Sequence, residues 1–459
     1  MTTAAFDSAF LGRATGGVLK GDPHGRRVVT DSRDPVEGAL FVALEGPHFD
    51  GHDFVRAAVA RGAGGAVVAE AWYARGMGSD LPLCVVPDPL VALQRMARAH
   101  RERSGIPVVA VTGSNGKTTT KEFLAAALAS LGPVLKTRGN RNNHIGLPLT
   151  LLEIEPRHVV AVVEMGMNHA GEIAHLSRLA GPRAAVITNV SEVHLEGVGD
   201  RAGVARAKAE IVEGLETEGV LVYPHGDADL EAALRAYGGE RIRFGQDPAA
   251  DLAPRSASTA TGGVELVLDD GTRIVSRVPG EHTAANLLAA VAVADRFGVA
   301  RIAAAEGMSG VEALPGRLRP LAVGGVTLLD DTYNANPAST RAALDVLRTY
   351  PARGKRRAVL GDLLELGAAA ETLHRALAPH VLFVDGLITV GPLARHIGLA
   401  ALEAGMDPDN WRHVADSGEA GAVLLPRLEP GDVVLLKGSR GVRLEVARDM
   451  VVGALEGEG

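Results

Sequence analysis

From residue 107 onward, short apolar runs alternate with amphipathic stretches: PVVAVTG, a helix-like segment Lys117–Leu131 closed by Gly132-Pro133, then VVAVVEMG, AAVITNV and GVLVYP. Short apolar runs separated by stretches of helical period predict strands buried on both faces, the signature of a parallel sheet covered by helices. The alternation restarts after residue 314 with VTLLDDTYN, RRAVLGDL, VLFVDGLITVG and DVVLLKGSR, each predicted as a strand running into a polar loop. Before residue 86 the segments VVTDSR, GALFVALEG and GAGGAVVAE are shorter and richer in glycine and turns, which predicts a separate small α/β unit. Pro87-Asp88-Pro89 and Leu314-Pro315-Gly316 punctuate the pattern, because proline and glycine together mark crossings between units. The expected division is therefore into residues 1–85, 86–313 and 314–459.

Length agrees with this division, since 459 residues exceed what one hydrophobic core normally serves. No stretch is apolar for the roughly 18 residues a membrane span needs. The net charge of −8 argues against general affinity for nucleic acid or anionic lipid, so cationic chemistry has to be sought at individual sites. A single cysteine, Cys84 in LPLCVVP, excludes an internal disulfide and a thiolate metal cluster, and its surroundings predict a buried small hydrophobe. The opening MTTAAFDSAF has no apolar signal core, which points to a cytoplasmic protein. No segment marks an oligomer interface, so a monomer is expected.

The strongest chemical signal follows the strand PVVAVTG. Ser114-Asn115-Gly116-Lys117-Thr118-Thr119 leads directly into a helix, the strand-loop-helix context of a phosphate cradle. Backbone N–H groups and the helix N-terminus would face a triphosphate, Lys117 would offset charge at the β and γ phosphates, and the Thr118 hydroxyl would hold Mg²⁺. A strict phosphate loop has glycine where Val111 stands, so Gly113 and Gly116 must supply the backbone freedom. Glu164 ends the next strand, where ligands collect on an open α/β sheet, and is a candidate Mg²⁺ carboxylate. His194 follows the strand in ITNVSEVHLEG and could bind metal or orient phosphate. Lys208, in the amphipathic RAGVARAKAEIVEGL, reads from spacing alone as a solvated lysine paired with Glu210 or Glu213.

Thr112-Gly113-Ser114-Asn115-Gly116-Lys117-Thr118-Thr119 resembles the phosphate loop of the Mur ligases, and further motifs follow in that family's order over nearly the whole chain. The resemblance implies three α/β domains: a small UDP-sugar-binding domain, a central P-loop ATPase domain with a parallel sheet, and a C-terminal Rossmann-like domain that takes the incoming amine. It also implies that Lys208, in Ala-Lys-Ala-Glu-Ile, is carbamylated and bridges to a second Mg²⁺, and that Glu164 and His194 belong to the metal site. By the same carry-over Asn286 contacts adenine, Asp331 the ribose and Arg317 the phosphates of ATP. Asp31-Ser32-Arg33 and Asp50-Gly51-His52, which read without the family as turns, become contacts to the uridine diphosphate sugar. Within Gly139–Pro148, Asn140, Asn142 and Asn143 become substrate contacts, although His144 stands where an acidic residue is common.

Asp330–Pro337 with Asn334 and Asn336, Gly361–Gly367, and Lys437-Gly438-Ser439-Arg440 resemble the branch that adds D-alanyl-D-alanine to UDP-N-acetylmuramoyl-tripeptide. The Asp-Asn-Pro-Arg motif of the branch that adds a diamino acid is absent. Lys437 and Arg440 are then available to the dipeptide carboxylate. The implied reaction forms an acyl phosphate from ATP and then an amide, in peptidoglycan synthesis and hence cell wall biogenesis, cell shape and cell division. Two competing readings differ in what they predict. A related ligase would release phosphate with another amine, whereas a nucleotide-gated binding protein would bind ATP without forming an amide.

Overall fold

The computed structural model describes residues 5–260 and 262–457. Six parallel strands form the central sheet, in the order Glu240–Phe244, Val220–Pro224, Ala184–Ile187, Val108–Thr112, Val160–Glu164 and Val134–Lys136. Strand Val108–Thr112 is buried along its whole length, and its alternation divides the interior. Val108 and Ala110 point to one core, while Val109 and Val111 point to the other. That two-sided burial is why the segment is continuously apolar. The chain moves from this strand first to one side of the sheet and later to the other. Its carboxyl end is therefore the topological switch point, the crevice where open α/β sheets bind ligands.

Helix Pro89–Ser104 begins at Asp88, whose side chain accepts from the N–H groups of Leu90 and Val91, and stops at Gly105 in the left-handed region. Its Leu93, Met96 and Ala97 join Phe6, Phe10 and Leu40 of the amino-terminal unit to Val108 and Ala110 in one continuous core. The amino-terminal sheet runs Val18–Lys20, Leu83–Val86, Gly65–Ala69, Ala39–Val42 and Arg27–Val29, parallel except at Val18–Lys20. Cys84 is buried there against the Thr15 hydroxyl, as its apolar neighbours predicted. The last sheet runs Arg319–Val323, Val326–Asp331, Val433–Lys437, Arg356–Gly361, Gly386–Val390 and Trp411–Val414, with only its first strand antiparallel.

Three details differ from the pattern reading. The segment VLFVDGLITVG is a strand only over Gly386–Val390, because Val381 and Val384 pack at a helical turn and its exit rather than in the sheet. The helix expected to Leu131 ends at Ala127 and closes through a 3-10 turn over Ala129–Leu131. A three-stranded antiparallel sheet, Ser256–Ala260, Gly263–Val267 and Arg273–Ser276, was missed. Its signals were present, since Gly262-Gly263 and Asp269-Asp270-Gly271 are turn sequences between alternating runs. Among the described residues, no helix is long and apolar enough to cross a membrane.

Candidate functional site

At the switch point Gly113 adopts φ 144° and Gly116 φ 77°, both in the region that favours glycine. A Cβ on Gly113 would stand 1.9 Å from the Thr188 hydroxyl, and one on Gly116 would stand 2.8 Å from Oδ1 of Asn286. No side chain caps helix Lys117–Ala127, so its first-turn N–H groups stay free for an anion. The segment 188–191 clamps the loop from outside. The Asn115 N–H donates to Asn189 Oδ1 at 3.0 Å, the Ser191 N–H donates to Ser114 Oγ at 2.9 Å, and the Thr188 hydroxyl donates to the Asn115 carbonyl at 2.5 Å. Lys117 folds back over the cradle and donates to the carbonyl of Gly113 at 2.7 Å. Burial pulls its ammonium below the ordinary lysine range, partly opposed by the Glu164 carboxylate.

Glu164, 2 % exposed, ends its strand with one carboxylate oxygen 3.0 Å from the Thr118 hydroxyl and the other accepting from Asn142 at 2.9 Å. A hydroxyl and a carboxylate side by side in a phosphate cleft are the hard oxygen donors Mg²⁺ takes when phosphates and water complete its shell. These residues fit that ion. Among the described residues no cluster of three or more His, Cys, Asp or Glu is placed to hold a metal ion. His194 lines the same cleft, with Nδ1 2.6 Å from Glu365 of the last unit. Burial holds its imidazole below the ordinary histidine value, opposed by the Glu365 carboxylate.

Lys208 contradicts the reading drawn from its spacing. It is 1 % exposed and forms no ion pair among the described residues. Both acids it was expected to meet are engaged elsewhere. Glu210 accepts from the N–H groups of Gly171 and Ala174, at 2.7 and 3.2 Å, and Glu213 pairs with Arg178. Burial, reinforced by the Lys117 charge, drives the Lys208 ammonium well below the ordinary lysine value. That direction favours the uncharged, nucleophilic form of the amine over the ammonium.

The last unit roofs this cleft of about 1020 Å³ with Arg317, Asp331, Tyr333, Asn334, Asn336 and Lys437, while Asn140, Asn142, Asn143 and His144 line its far wall. Asn336 bonds Asn115 of the phosphate loop at 2.5 Å, and the Arg317 guanidinium lies 4.1 Å from the centre of the Tyr333 ring. Asn286 lines the cleft at 4 % exposure, and its Nδ2 has no partner among the described residues, a donor held ready for a ligand. Lys437, expected to be available to a substrate carboxylate, is instead 2 % exposed and committed to Asp331 at 2.6 Å and to the Asn334 carbonyl at 3.0 Å. Arg440 does not line the cleft and pairs with Glu445 at 3.2 Å.

Asp31, Ser32, Arg33, Asp50, Gly51 and His52 also lie outside the cleft lining. Arg33 bonds Asp31 at 2.6 Å on the surface. His52 has both ring nitrogens satisfied, by Asp50 at 2.6 Å and by the Ala69 N–H at 2.9 Å, so its ring has no free polar atom to offer a ligand. Sequence reasoning missed Thr188, Asn189, Ser191, Tyr333 and the Glu365 contact. The polar cluster directly after the strand in ITNVSE was the available signal for the first three.

Three family models match: the Mur ligase family catalytic domain over residues 26–101, the Mur ligase middle domain over 111–294, and the Mur ligase glutamate ligase domain over 316–440. The chain is 37 % identical over 439 residues to the UDP-N-acetylmuramoyl-tripeptide–D-alanyl-D-alanine ligase of Bacillus subtilis, covering 93 % of each chain. It superposes on a crystal structure of MurF from Acinetobacter baumannii with a TM-score of 0.88 at 32 % identity, covering 98 % of this chain and 99 % of that one. The corresponding figures for the MurF ligase of Thermotoga maritima in complex with ADP are 0.82 and 30 %, over 94 % and 98 %.

Proposed function

The chain belongs to the Mur ligase family, and from that premise we infer that it is an ATP-dependent ligase joining D-alanyl-D-alanine to UDP-N-acetylmuramoyl-tripeptide in peptidoglycan precursor synthesis. The observation that carries this reading is the single cleft in which a phosphate loop, the Glu164 strand end and polar groups of the last unit face one another. In this reading residues 1–85 take the sugar nucleotide through the Asp31–Arg33 and Asp50–His52 turns, His52 acting by holding Asp50 rather than by touching the ligand, 86–313 take ATP, and 314–459 take the dipeptide.

The tripeptide carboxylate attacks the γ-phosphorus of ATP, giving an acyl phosphate and ADP, and the dipeptide amine then attacks the activated carbonyl. The tetrahedral intermediate collapses to the amide and inorganic phosphate. Several anions meet here, so positioning and charge neutralisation dominate catalysis. Lys117 and the free amides of the loop and helix start hold the β and γ phosphates. Thr118 and Glu164, with His194 beside them, would hold Mg²⁺, which when bound offsets phosphate charge and polarises the γ-phosphoryl oxygens. Asn286 offers its unpaired amide to adenine, Asp331 meets the ribose, and Arg317 meets the phosphates. Lys437 acts by holding Asp331 and Asn334 in place. The Asn115–Asn336 and His194–Glu365 contacts keep the last unit over the loop, which excludes water from a hydrolysable intermediate.

Lys208 is assigned as the carbamylated lysine. Its buried amine, in the uncharged form that burial favours, adds to carbon dioxide: a nitrogen–carbon bond forms as a carbon–oxygen π bond opens, and the amine gives up a proton. The product is an anionic oxygen donor suited to a second Mg²⁺. Burial without a carboxylate partner supports this role, because a permanent cation there would be costly.

The testing experiment follows ADP or phosphate release from Mg²⁺ and ATP with UDP-N-acetylmuramoyl-tripeptide, comparing D-alanyl-D-alanine, a diamino acid and L-alanine, with products weighed by mass spectrometry. Release and amide formation with the dipeptide alone is expected. Turnover with a different amine would move the substrate within the family, and nucleotide binding without any amide would overturn the reading.

A further inference from the structure

His194 and Glu365 come from different units, 171 positions apart, yet Nδ1 and Oε2 stand at 2.6 Å. A carboxylate only accepts, so Nδ1 carries the hydrogen and the lone pair stays on Nε2. Such a carboxylate behind a ligating imidazole fixes its tautomer and aim. Both partners occupy left-handed backbone, His194 at φ 53° and Glu365 at φ 62°, although neither is glycine. Non-glycine residues hold that conformation at a cost of about 1 kcal/mol or more and keep it where the surroundings over-determine it, a pattern concentrated at functional sites. The same two loops meet a second time, where the Gly367 N–H donates to Glu196 at 3.3 Å.

The loop carrying Glu365 is anchored from behind. The Leu363 N–H donates to His374 Nε2 at 3.0 Å, and the Leu364 N–H donates to the Ser439 hydroxyl at 2.9 Å. The Asp362 carboxylate accepts from the N–H groups of Leu393 and Ala394, at 2.9 and 2.6 Å. Leu363 and Leu366 are buried on either side of Glu365, whose own side chain is 55 % exposed and reaches across to the other unit. A rigid loop delivering one half-exposed carboxylate to a cleft imidazole is poor use of charge for stability, since exposed pairs contribute little.

We propose that Glu365 is a positioning residue for the phosphoryl-transfer site: carried by the last unit, it sets the tautomer and direction of His194 in the central unit. The His194 imidazole that lines the central cleft is then held in the Nδ1–H tautomer, with Nε2 left free to ligate, only while the two units are docked. Metal binding and docking become linked, each strengthening the other by the same factor. This rests on the proposed role of His194 at the Mg²⁺ site.

The test uses the full chain and its Glu365→Ala, Glu365→Gln and His194→Ala variants, with Mn²⁺ as the probe. Mn²⁺ affinity in the presence of ADP is read by electron paramagnetic resonance, and the His194 ring by ¹⁵N chemical shifts in histidine-labelled protein, the signal assigned by its loss in His194→Ala. Glu365→Ala should weaken Mn²⁺ about 10–100-fold, the range for lost outer-shell partners, and move the His194 ring nitrogens away from the Nδ1–H tautomer while the melting temperature stays put. Glu365→Gln, whose amide oxygen still accepts, should restore most of both. Unchanged Mn²⁺ affinity and ring signals in Glu365→Ala, with His194→Ala still weakened, would overturn the positioning role and spare the metal-site reading. Unchanged affinity in His194→Ala would overturn both.

Discussion

Asn336 Nδ2 donates to Asn115 Oδ1 at 2.5 Å, tying a helix N-cap of the last unit to the phosphate loop of the central one across 221 positions. The same Asn336 accepts from the Ser339 N–H at 2.9 Å, so it caps helix Pro337–Thr349 and holds the loop at once. Asn336→Asp separates the two roles: a carboxylate still caps but cannot donate to Asn115, and it adds charge beside the phosphates. The melting temperature should stay near that of the parent while KM for ATP rises about tenfold, roughly one lost hydrogen bond. An unchanged KM in steady-state kinetics would show that the bridge does not serve nucleotide binding.

Lys437 and Asp331 form an ion pair at 2.6 Å with side chains 2 % and 12 % exposed. Removing one partner leaves a buried charge uncompensated, so Lys437→Met should lower unfolding stability by about 3 kcal/mol. Chemical denaturation measures this directly. A loss below about 1 kcal/mol would mean that Asp331 finds water or another cation when Lys437 is gone.

Lys117→Ala should abolish turnover while the circular dichroism spectrum stays that of the parent, since among the described residues the Lys117 ammonium donates only to carbonyls of its own loop, Gly113 at 2.7 Å and Ser114 at 3.4 Å. Near-normal phosphate release would refute the phosphate-loop assignment.

Lys208→Ala should lose activity that added bicarbonate or a short carboxylic acid partly restores, because a small anion can enter the space of the lost side chain and supply the oxygen ligand. Trimming a buried amine that has no ion pair among the described residues should cost little stability beyond the packing of its stem. A variant as active as the parent would remove Lys208 from the mechanism.

His374 is fully buried, with Nε2 accepting from Leu363 and Nδ1 donating to the Ala370 carbonyl at 2.6 Å. Burial lowers its pKa below the ordinary 6.5, so the folded state binds the proton less readily than the unfolded chain. The stability this contributes is present above about pH 6.5 and is lost as the pH falls toward and through the lowered folded value. Melting temperatures at pH 7.5 and 5.5 should therefore drop more steeply for the parent than for His374→Gln, whose amide can make both bonds without titrating. Parallel pH dependences would exclude His374 as a source of acid sensitivity.

What the amino-acid order determined by itself is local. The strand-loop-helix of residues 108–127 is legible because each part follows from neighbouring residues: a run apolar on both faces, glycines where φ is positive, and a helix start without a cap. The burial of Cys84 was equally legible from its apolar neighbours. The tertiary structure alone decided what the charged side chains meet. Helical spacing set Lys208 beside Glu210 and Glu213, yet packing buried the lysine and turned both acids to other partners. Lys437 and His52 looked free to bind a ligand, and each is consumed by a contact with a residue it could not be seen to approach. The bridges from His194 to Glu365 and from Asn115 to Asn336 join units read separately along the chain. The physical reason is that backbone preference and hydrophobic period are properties of neighbours in sequence, whereas a charge takes its partner and its desolvation from whatever the fold brings within a few ångströms.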